Sequence, residues 1–251
     1  MVLKAVAVVA VAALLVATIW VSTGSEEVGR GRAVIVDGLS KEFPNEELIA
    51  KVKSYLESSG FEVEVIPADN VTVETYRKVL EGGYRVLIFR IHGGYCSEGK
   101  EVYVGLFANE AFNESGYVSE RYLGLVGSGI PFANPEKVVF VISSRFVELY
   151  GSGLKGSLVM VFSCFSLYGE SMAKAFIDRG AAAYVGWGGG VDPVTNDYAL
   201  ERLTYYFFVE GLTLSQSISH TMIDVMGKYR VRHILALYPE EASTLRAGDL
   251  K

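Results

Sequence analysis

Short apolar runs that alternate with helical patterns constrain the fold of this chain most strongly. The runs at residues 33–36, 85–91 and 158–163 are rich in Val, Ile, Leu and Phe, which is typical of strands buried on both faces of a parallel sheet. Between the first two runs, apolar residues recur at helical spacing in residues 44–59 and 72–80. The alternation predicts an α/β domain with a mainly parallel central sheet, right-handed crossovers and helices on both faces.

The rest of the domain continues this alternation after one interruption. Residues 61–66 (FEVEVI) alternate apolar and acidic side chains, which predicts a strand near a sheet edge. Residues from about 95 to 157 are less regular, and we predict that they form an insertion with a strand at 102–107. Further helices are predicted at 169–178, 195–209 and 214–226, and further strands at 138–142, 181–185 and 234–238.

The N-terminal segment differs from the rest of the chain. Residues 5–22 carry no charge and are about as long as a helix that crosses a bilayer core. Because Lys4 precedes them and two acids follow, the positive-inside rule places the remainder of the chain outside the cell. Residues 1–22 are therefore predicted to be a membrane anchor or a cleaved signal peptide, and the length of the apolar run favours the anchor.

This segment sets the expected domain organisation and location. Residues 23–32 form a short polar linker, and residues 33–251 form the α/β domain. We expect the domain to be held at the outer face of the cell membrane through residues 5–22, or to be secreted if the leader is cleaved.

Composition and spacing exclude several kinds of partner. The formal charge of the chain is −6, and no cluster of Lys and Arg is present to neutralise phosphates, so we predict no nucleic-acid binding. The cysteines and histidines lack the close spacing of a zinc site. The glycine run at 188–190 is not followed by the Lys and Ser or Thr of a phosphate-binding loop. No metal and no cofactor are predicted.

Two side chains with catalytic chemistry follow predicted strands. His92 comes directly after the run at residues 85–91, and Cys164 after the run at 158–163. The carboxyl ends of parallel strands meet at one edge of a sheet, and ligands bind at that edge in this class of fold. An imidazole placed there can take a proton from a thiol and return it to a leaving amine. The sequence therefore predicts a His92–Cys164 catalytic dyad.

The backbone next to this pair can stabilise negative charge. Gly93 has no side chain to keep a substrate away from its N–H group. The N–H of Cys164 lies at the start of the turn into a helix, where backbone donors point outward. Because acyl transfer needs such donors around the carbonyl oxygen, we predict that Gly93 and Cys164 form the oxyanion hole.

The order of these motifs resembles that of the caspase-fold (clan CD) cysteine peptidases, in particular the CHAT and gingipain-like branches. The similarity rests on residues 86–94 (VLIFRIHGG), on residues 158–164 (LVMVFSC) and on the helix–glycine–strand–tryptophan succession at residues 169–187. It covers residues 33 to about 222 and leaves the insertion unmatched.

The resemblance implies a caspase-like three-layer sandwich and endopeptidase activity on peptide or protein substrates. In this family pattern His92 would be the general base and Cys164 the nucleophile, and Trp187 would line the bound substrate strand. Asp37 would read the residue before the scissile bond and favour Arg or Lys, with Asp192 as the rival for this role. An Asp before a glycine is equally typical of a simple turn.

Parts of the sequence also fit two other functions. Outside the cell, Cys96 and Cys164 could form a disulfide, and the chain would then be a non-catalytic, extracellular caspase-like binding domain. The His-Gly-Gly motif at residues 92–94 also occurs in the oxyanion loops of lipases, but no G-x-S-x-G motif follows it. The esterase is therefore excluded, and the binding domain stays open as the alternative to the peptidase.

Overall fold

The computed structural model describes residues 31–98, 101–132 and 134–250, and these form an α/β domain with two sheets. The strands of the described residues are β1 (Arg32–Asp37), β2 (Glu62–Pro67), β3 (Val86–Arg90), β4 (Gly93–Glu98), β5 (Glu101–Ala111), β6 (Val126–Gly129), β7 (Val139–Ile142), β8 (Leu158–Phe162), β9 (Ala183–Trp187) and β10 (Leu235–Tyr238). The α-helices are α1 (Glu46–Ser58), α2 (Val73–Glu81), α3 (Val118–Tyr122), α4 (Ser144–Tyr150), α5 (Ser171–Asp178), α6 (Pro193–Thr204) and α7 (Leu214–Lys228).

The predicted anchor or signal peptide at residues 1–22 lies outside the described residues. Among those that are described, none belongs to a helix long and apolar enough to cross a membrane.

The central sheet confirms the predicted α/β class. Within the described residues its strand order is β10-β9-β8-β3-β1-β2, and every neighbouring pair is parallel except β10 with β9. The acidic strand β2 lies at one edge, as its alternating sequence predicts. The strands that read as continuous apolar runs, β1, β3 and β8, lie inside the sheet, where helices cover both of their faces.

Two apolar cores lie on the two faces of this sheet. Alternate residues of β1 show the division, because Ile35 belongs to one core whereas Val34 and Val36 belong to the other. Helices α1, α6 and α7 contribute to the Ile35 side, and α2, α4 and α5 contribute to the opposite side. The domain therefore has three layers with the sheet in the middle.

The segment after β3 is more regular than the sequence predicts. The strands predicted at residues 102–107 and 138–142 are found as β5 and β7, but they belong to an antiparallel sheet of order β4-β5-β7-β6 within the described residues, which is followed by α4. Antiparallel strands alternate inward and outward side chains and carry many polar and glycine residues here, so they lack the continuous apolar runs that mark β1 and β3. The second sheet packs against the central one through the core that holds Val34, and Asn109 of β5 donates to the carbonyl of Gly38 after β1 (2.7 Å).

A buried ion cluster joins the ends of β1 and β3 to α6. The guanidinium of Arg90 is fully buried and pairs with Asp37 (Nη1–Oδ1, 2.6 Å) and with Asp197 (Nε–Oδ1, 2.6 Å). Its Nη2 also donates to the carbonyl of Phe43 in the loop between β1 and α1 (2.7 Å). Burial lowers the pKa of Arg90, but the hydrogen bonds and charges of the two aspartates outweigh burial and raise it, so the side chain stays a cation.

Replacing Arg90 with Met should destabilise the domain strongly, because two carboxylates would lose their buried cation. Removal of one partner of a buried ion pair costs about 3–5 kcal/mol, and urea unfolding measures the loss. The matched control is Lys53→Met on α1, which removes the partner of Glu57 from a solvent-exposed pair (3.3 Å) and should change stability little. Equal losses in the two variants would contradict a structural role for the Arg90 cluster.

Candidate active site

His92 and Cys164 follow neighbouring strands of the central sheet at equivalent positions. The parallel strands β3 and β8 pair Arg90 with Phe162, so His92 and Cys164 each lie two residues beyond this last pair. The N–H of Ile91 donates to the carbonyl of Phe162 (3.4 Å) and continues the ladder toward the edge. The two residues that the sequence predicts as a dyad are therefore brought to the same edge of the sheet.

Gly93 packs directly against the chain at Cys164. A Cβ atom on Gly93 would lie 2.5 Å from Oγ of Ser163 and 2.7 Å from the carbonyl oxygen of Cys164. Any side chain at this position would clash with these atoms. A glycine is therefore needed for the segments that carry His92 and Cys164 to contact each other. The two residues predicted to supply oxyanion donors are thus adjacent in space.

The ring of His92 is held by the loop between β1 and α1. Its Nε2 lies 2.6 Å from Oε2 of Glu42, and the ring of Phe43 packs edge-on against it with 6.3 Å between centroids. A carboxylate accepts hydrogen bonds and does not donate them, so Nε2 carries the hydrogen and Nδ1 is the nitrogen that can accept a proton. Glu42 therefore fixes the orientation of the imidazole through Nε2, whereas the carboxylate of a catalytic triad bonds to Nδ1.

Glu42 was not singled out from the sequence. It lies 50 residues before His92, in a loop, and no motif connects the two positions. The available signal was weak: Glu42 follows the first strand by a few residues, and that strand also ends at the predicted edge.

The sulfur of Cys164 is held by the loop between β9 and α6. Sγ lies 3.3 Å from the carbonyl oxygen of Val191 and 3.5 Å from its backbone nitrogen, and the side chain is partly exposed. In the described part of the chain, the thiol therefore bonds to one loop and the ring of His92 to another. Catalytic hydrogen bonds are often long or poorly aligned before a substrate binds, and they tighten in its complex.

The turn that follows Cys164 has a strained backbone conformation and is held by hydrogen bonds. Phe165 has a φ of 60°, in the left-handed region that bulky residues rarely adopt. Its N–H donates to the carbonyl of Gly189 (2.9 Å), and Oγ of Ser166 accepts from the N–H of Trp187 (2.9 Å). Backbone strain of this kind persists where the surroundings over-determine it, and it is concentrated at functional sites.

Cys96 and Cys164 are both free thiols. On β4, Gly93 and Tyr95 face the turn at Cys164, since the ring of Tyr95 lies 4.8 Å from that of Phe165 between centroids. Successive side chains of a strand point to opposite faces, so Cys96 points away from this turn. The disulfide considered as an alternative is not formed in this structure.

The other residues that the sequence connects with substrate binding have structural contacts. Asp37 is buried beside Arg90, and burial raises the pKa of its carboxyl group more than the guanidinium lowers it. Trp187 is fully buried, and its Nε1 donates to Oδ1 of Asn196 (2.9 Å). Burial of Asp37 and Trp187 is not the placement expected of residues that touch a peptide. Asp192 is exposed and caps α6.

A cavity of ≈ 460 Å³ opens between helices α1 and α6, and neither His92 nor Cys164 belongs to its lining. Its lining includes Phe43, which contacts His92, and Pro193, which lies two residues after Val191. One basic side chain of the lining, Lys51, pairs with Glu47 (2.7 Å). The acidic residues of the lining are Glu47, Asp197 and Glu201.

Comparison with known proteins gives a distant structural similarity. No protein family model matches the chain, and no curated protein matches it in sequence. Among solved structures, the chain is similar to gingipain R, an Arg-specific cysteine proteinase, with a TM-score of 0.48 and 12% sequence identity. The match covers 86% of this chain but 44% of that one, so the chain spans less than half the length of that structure.

The neutral ring of His92 should be the Nε2–H tautomer, because Nε2 faces the carboxylate of Glu42. Imidazole ¹⁵N NMR at alkaline pH distinguishes the two tautomers. Glu42→Leu should convert this single tautomer into a mixture and leave the signals of His220 and His233 unchanged as internal controls. An unchanged tautomer of His92 in the variant would show that Glu42 does not orient the ring.

Proposed function

We propose that the chain is a cysteine endopeptidase with a caspase-like fold, in which Cys164 is the nucleophile and His92 the general base. One observation carries the proposal. A carboxylate-bound imidazole and a partly exposed thiol occupy equivalent positions after neighbouring parallel strands. Ligands of open α/β sheets bind at this edge, and these two groups are the pair that thiol-dependent acyl transfer requires.

The proposed reaction begins with proton transfer from the thiol of Cys164 to Nδ1 of His92. The thiolate attacks the carbonyl carbon of the scissile bond, and the carbonyl oxygen becomes an oxyanion that accepts from the N–H groups of Gly93 and Cys164. His92 then gives its proton to the leaving amine, and water hydrolyses the thioester. Glu42 stabilises the imidazolium that exists between these steps, as a carboxylate does in a triad.

The acidic cavity supports a preference for a basic residue before the scissile bond. Its lining includes Phe43, which contacts His92, and carries three carboxylates. Glu47 is paired with Lys51 and Asp197 with the buried Arg90, which leaves Glu201 as the carboxylate of the lining without a basic partner among these ion pairs. An Arg or Lys side chain is long enough to reach into such a cavity and would find opposite charge there. In this proposal Glu201 takes over the role that the sequence suggested for Asp37 or Asp192.

We also propose that the chain acts on peptides or proteins outside the cell. This location is supported by the apolar segment at residues 5–22 and by the charges on its two sides.

The full-length chain, purified in detergent and kept reduced, should hydrolyse members of a quenched peptide library. Cys164→Ala should abolish turnover, and His92→Ala should lower kcat by roughly 10²–10⁴-fold because the general base is lost. Iodoacetamide should inactivate the wild-type chain, and Cys96→Ser, the matched cysteine control, should be active and equally sensitive. Full activity of Cys164→Ala would exclude this mechanism, and no turnover of any peptide would favour a binding domain.

The preference for basic residues should depend on Glu201. Glu201→Gln should lower kcat/KM for peptides with Arg or Lys before the scissile bond by roughly tenfold, because a charge in the cavity is lost, and should leave neutral peptides unaffected. Glu210→Gln, which changes a carboxylate outside the cavity lining, is the matched control. Equal rates for basic and neutral peptides in the wild-type chain would refute this preference.

A further inference from the structure

An aromatic cluster lies beside the nucleophile and takes no part in the chemistry described above. We call Tyr95, Phe165 and Tyr168 the aromatic platform. Their ring centroids are 4.8 Å apart for Tyr95 and Phe165, 4.7 Å for Tyr95 and Tyr168, and 5.6 Å for Phe165 and Tyr168. Each ring therefore contacts the other two, at separations typical of favourable aromatic pairs.

The platform is open to solvent although its rings contact one another. Tyr95 is 47% exposed and Tyr168 41% exposed, and Phe165 is partly exposed. Single exposed apolar residues need no explanation, but contiguous exposed apolar surface marks a place where another molecule binds. Tyrosines are well suited to such a surface, because each offers a large apolar ring and a polar hydroxyl.

Two segments of the candidate site contribute the side chains of the platform. Tyr95 comes from β4, where it pairs with Val104 of β5, and Phe165 and Tyr168 come from the turn after Cys164. Phe165 lies against the backbone of Gly190, since a Cβ atom there would be 3.6 Å from its ring. The left-handed φ of Phe165 is what places a bulky ring in this position directly after the nucleophile.

The position of the aromatic platform indicates which kind of molecule would bind there. Phe165 is the residue directly after Cys164 in the chain, and Tyr95 lies two residues after Gly93 on the same face of β4. A peptide whose carbonyl carbon lies at the sulfur and whose carbonyl oxygen lies at the N–H groups of Gly93 and Cys164 must therefore run next to these rings. The nearest side chains of that peptide would lie on the platform.

We propose that the aromatic platform is a substrate subsite that binds an aromatic or large aliphatic side chain close to the scissile bond. The inference rests on the proposed peptidase function and extends it from the acidic cavity to a second, apolar determinant of specificity. A substrate would then combine a basic residue in the cavity with an apolar residue on the platform.

The experiment compares two series of fluorescence-quenched peptides that all contain the same Arg. One series carries Phe at each position flanking this Arg in turn, and the other carries Ser at the same position. With the wild-type full-length chain, Phe at one flanking position should raise kcat/KM by roughly tenfold or more over Ser. Tyr168→Ala should remove this difference mainly through KM and leave the Ser peptides unchanged. Tyr95→Ala should have the same effect and is a second, independent variant of the platform.

The matched control is Tyr122→Ala, which removes a tyrosine that is 91% exposed on α3 and is outside the platform. This variant should keep the preference for Phe. Equal rates for Phe and Ser peptides in the wild-type chain, or a preference that survives both platform variants, would overturn the subsite and leave the peptidase proposal intact.

A binding measurement separates the subsite from the chemistry. Fluorescence anisotropy with the Cys164→Ala chain should show tighter binding of labelled Phe peptides than of Ser peptides, and Cys164→Ala/Tyr168→Ala should lose the difference. If this pattern is found but the wild-type chain cleaves no peptide, the platform stands as a binding site and the peptidase function fails.

Discussion

The buried cation of Arg90 is the interaction on which the candidate site depends. A guanidinium without access to water requires opposite charges around it, and Asp37 and Asp197 provide them from two other elements. Arg90 also lies two residues before His92 and binds the carbonyl of Phe43, the neighbour of Glu42. One side chain thereby fixes both the strand that leads to His92 and the loop that carries Glu42.

The site is divided between loops that a rigid sheet holds in place. The loop after β1 binds the ring of His92, and the loop after β9 binds the sulfur of Cys164, so each side chain bonds to the loop on its own outer side of β3 and β8. The strained turn at Phe165 follows β8 and lies next to Cys164. Acidic side chains line the cavity between α1 and α6, and exposed aromatic side chains form the platform after Cys164.

Local periodicity explains which parts of the fold could be predicted. Strands β1, β3 and β8 are apolar on both faces, and the helical spacing between them is regular, so the parallel core followed from pattern alone. In the second sheet, the strands at residues 102–107 and 138–142 were predicted, but β4, β6 and the antiparallel pairing were not. The reason is that β4 and β6 are short, rich in glycine and polar residues, and lack a continuous apolar run.

The order of residues alone dictates that His92 and Cys164 each follow a strand, and parallel strands must end at a common edge. The identity of Glu42 as the partner of the imidazole, the burial of Asp37 and Trp187, and the opposite directions of Tyr95 and Cys96 were decided by the tertiary structure. The reason is physical: an apolar strand is encoded by its own residues, whereas a hydrogen bond across 50 residues of chain exists only after the core has packed.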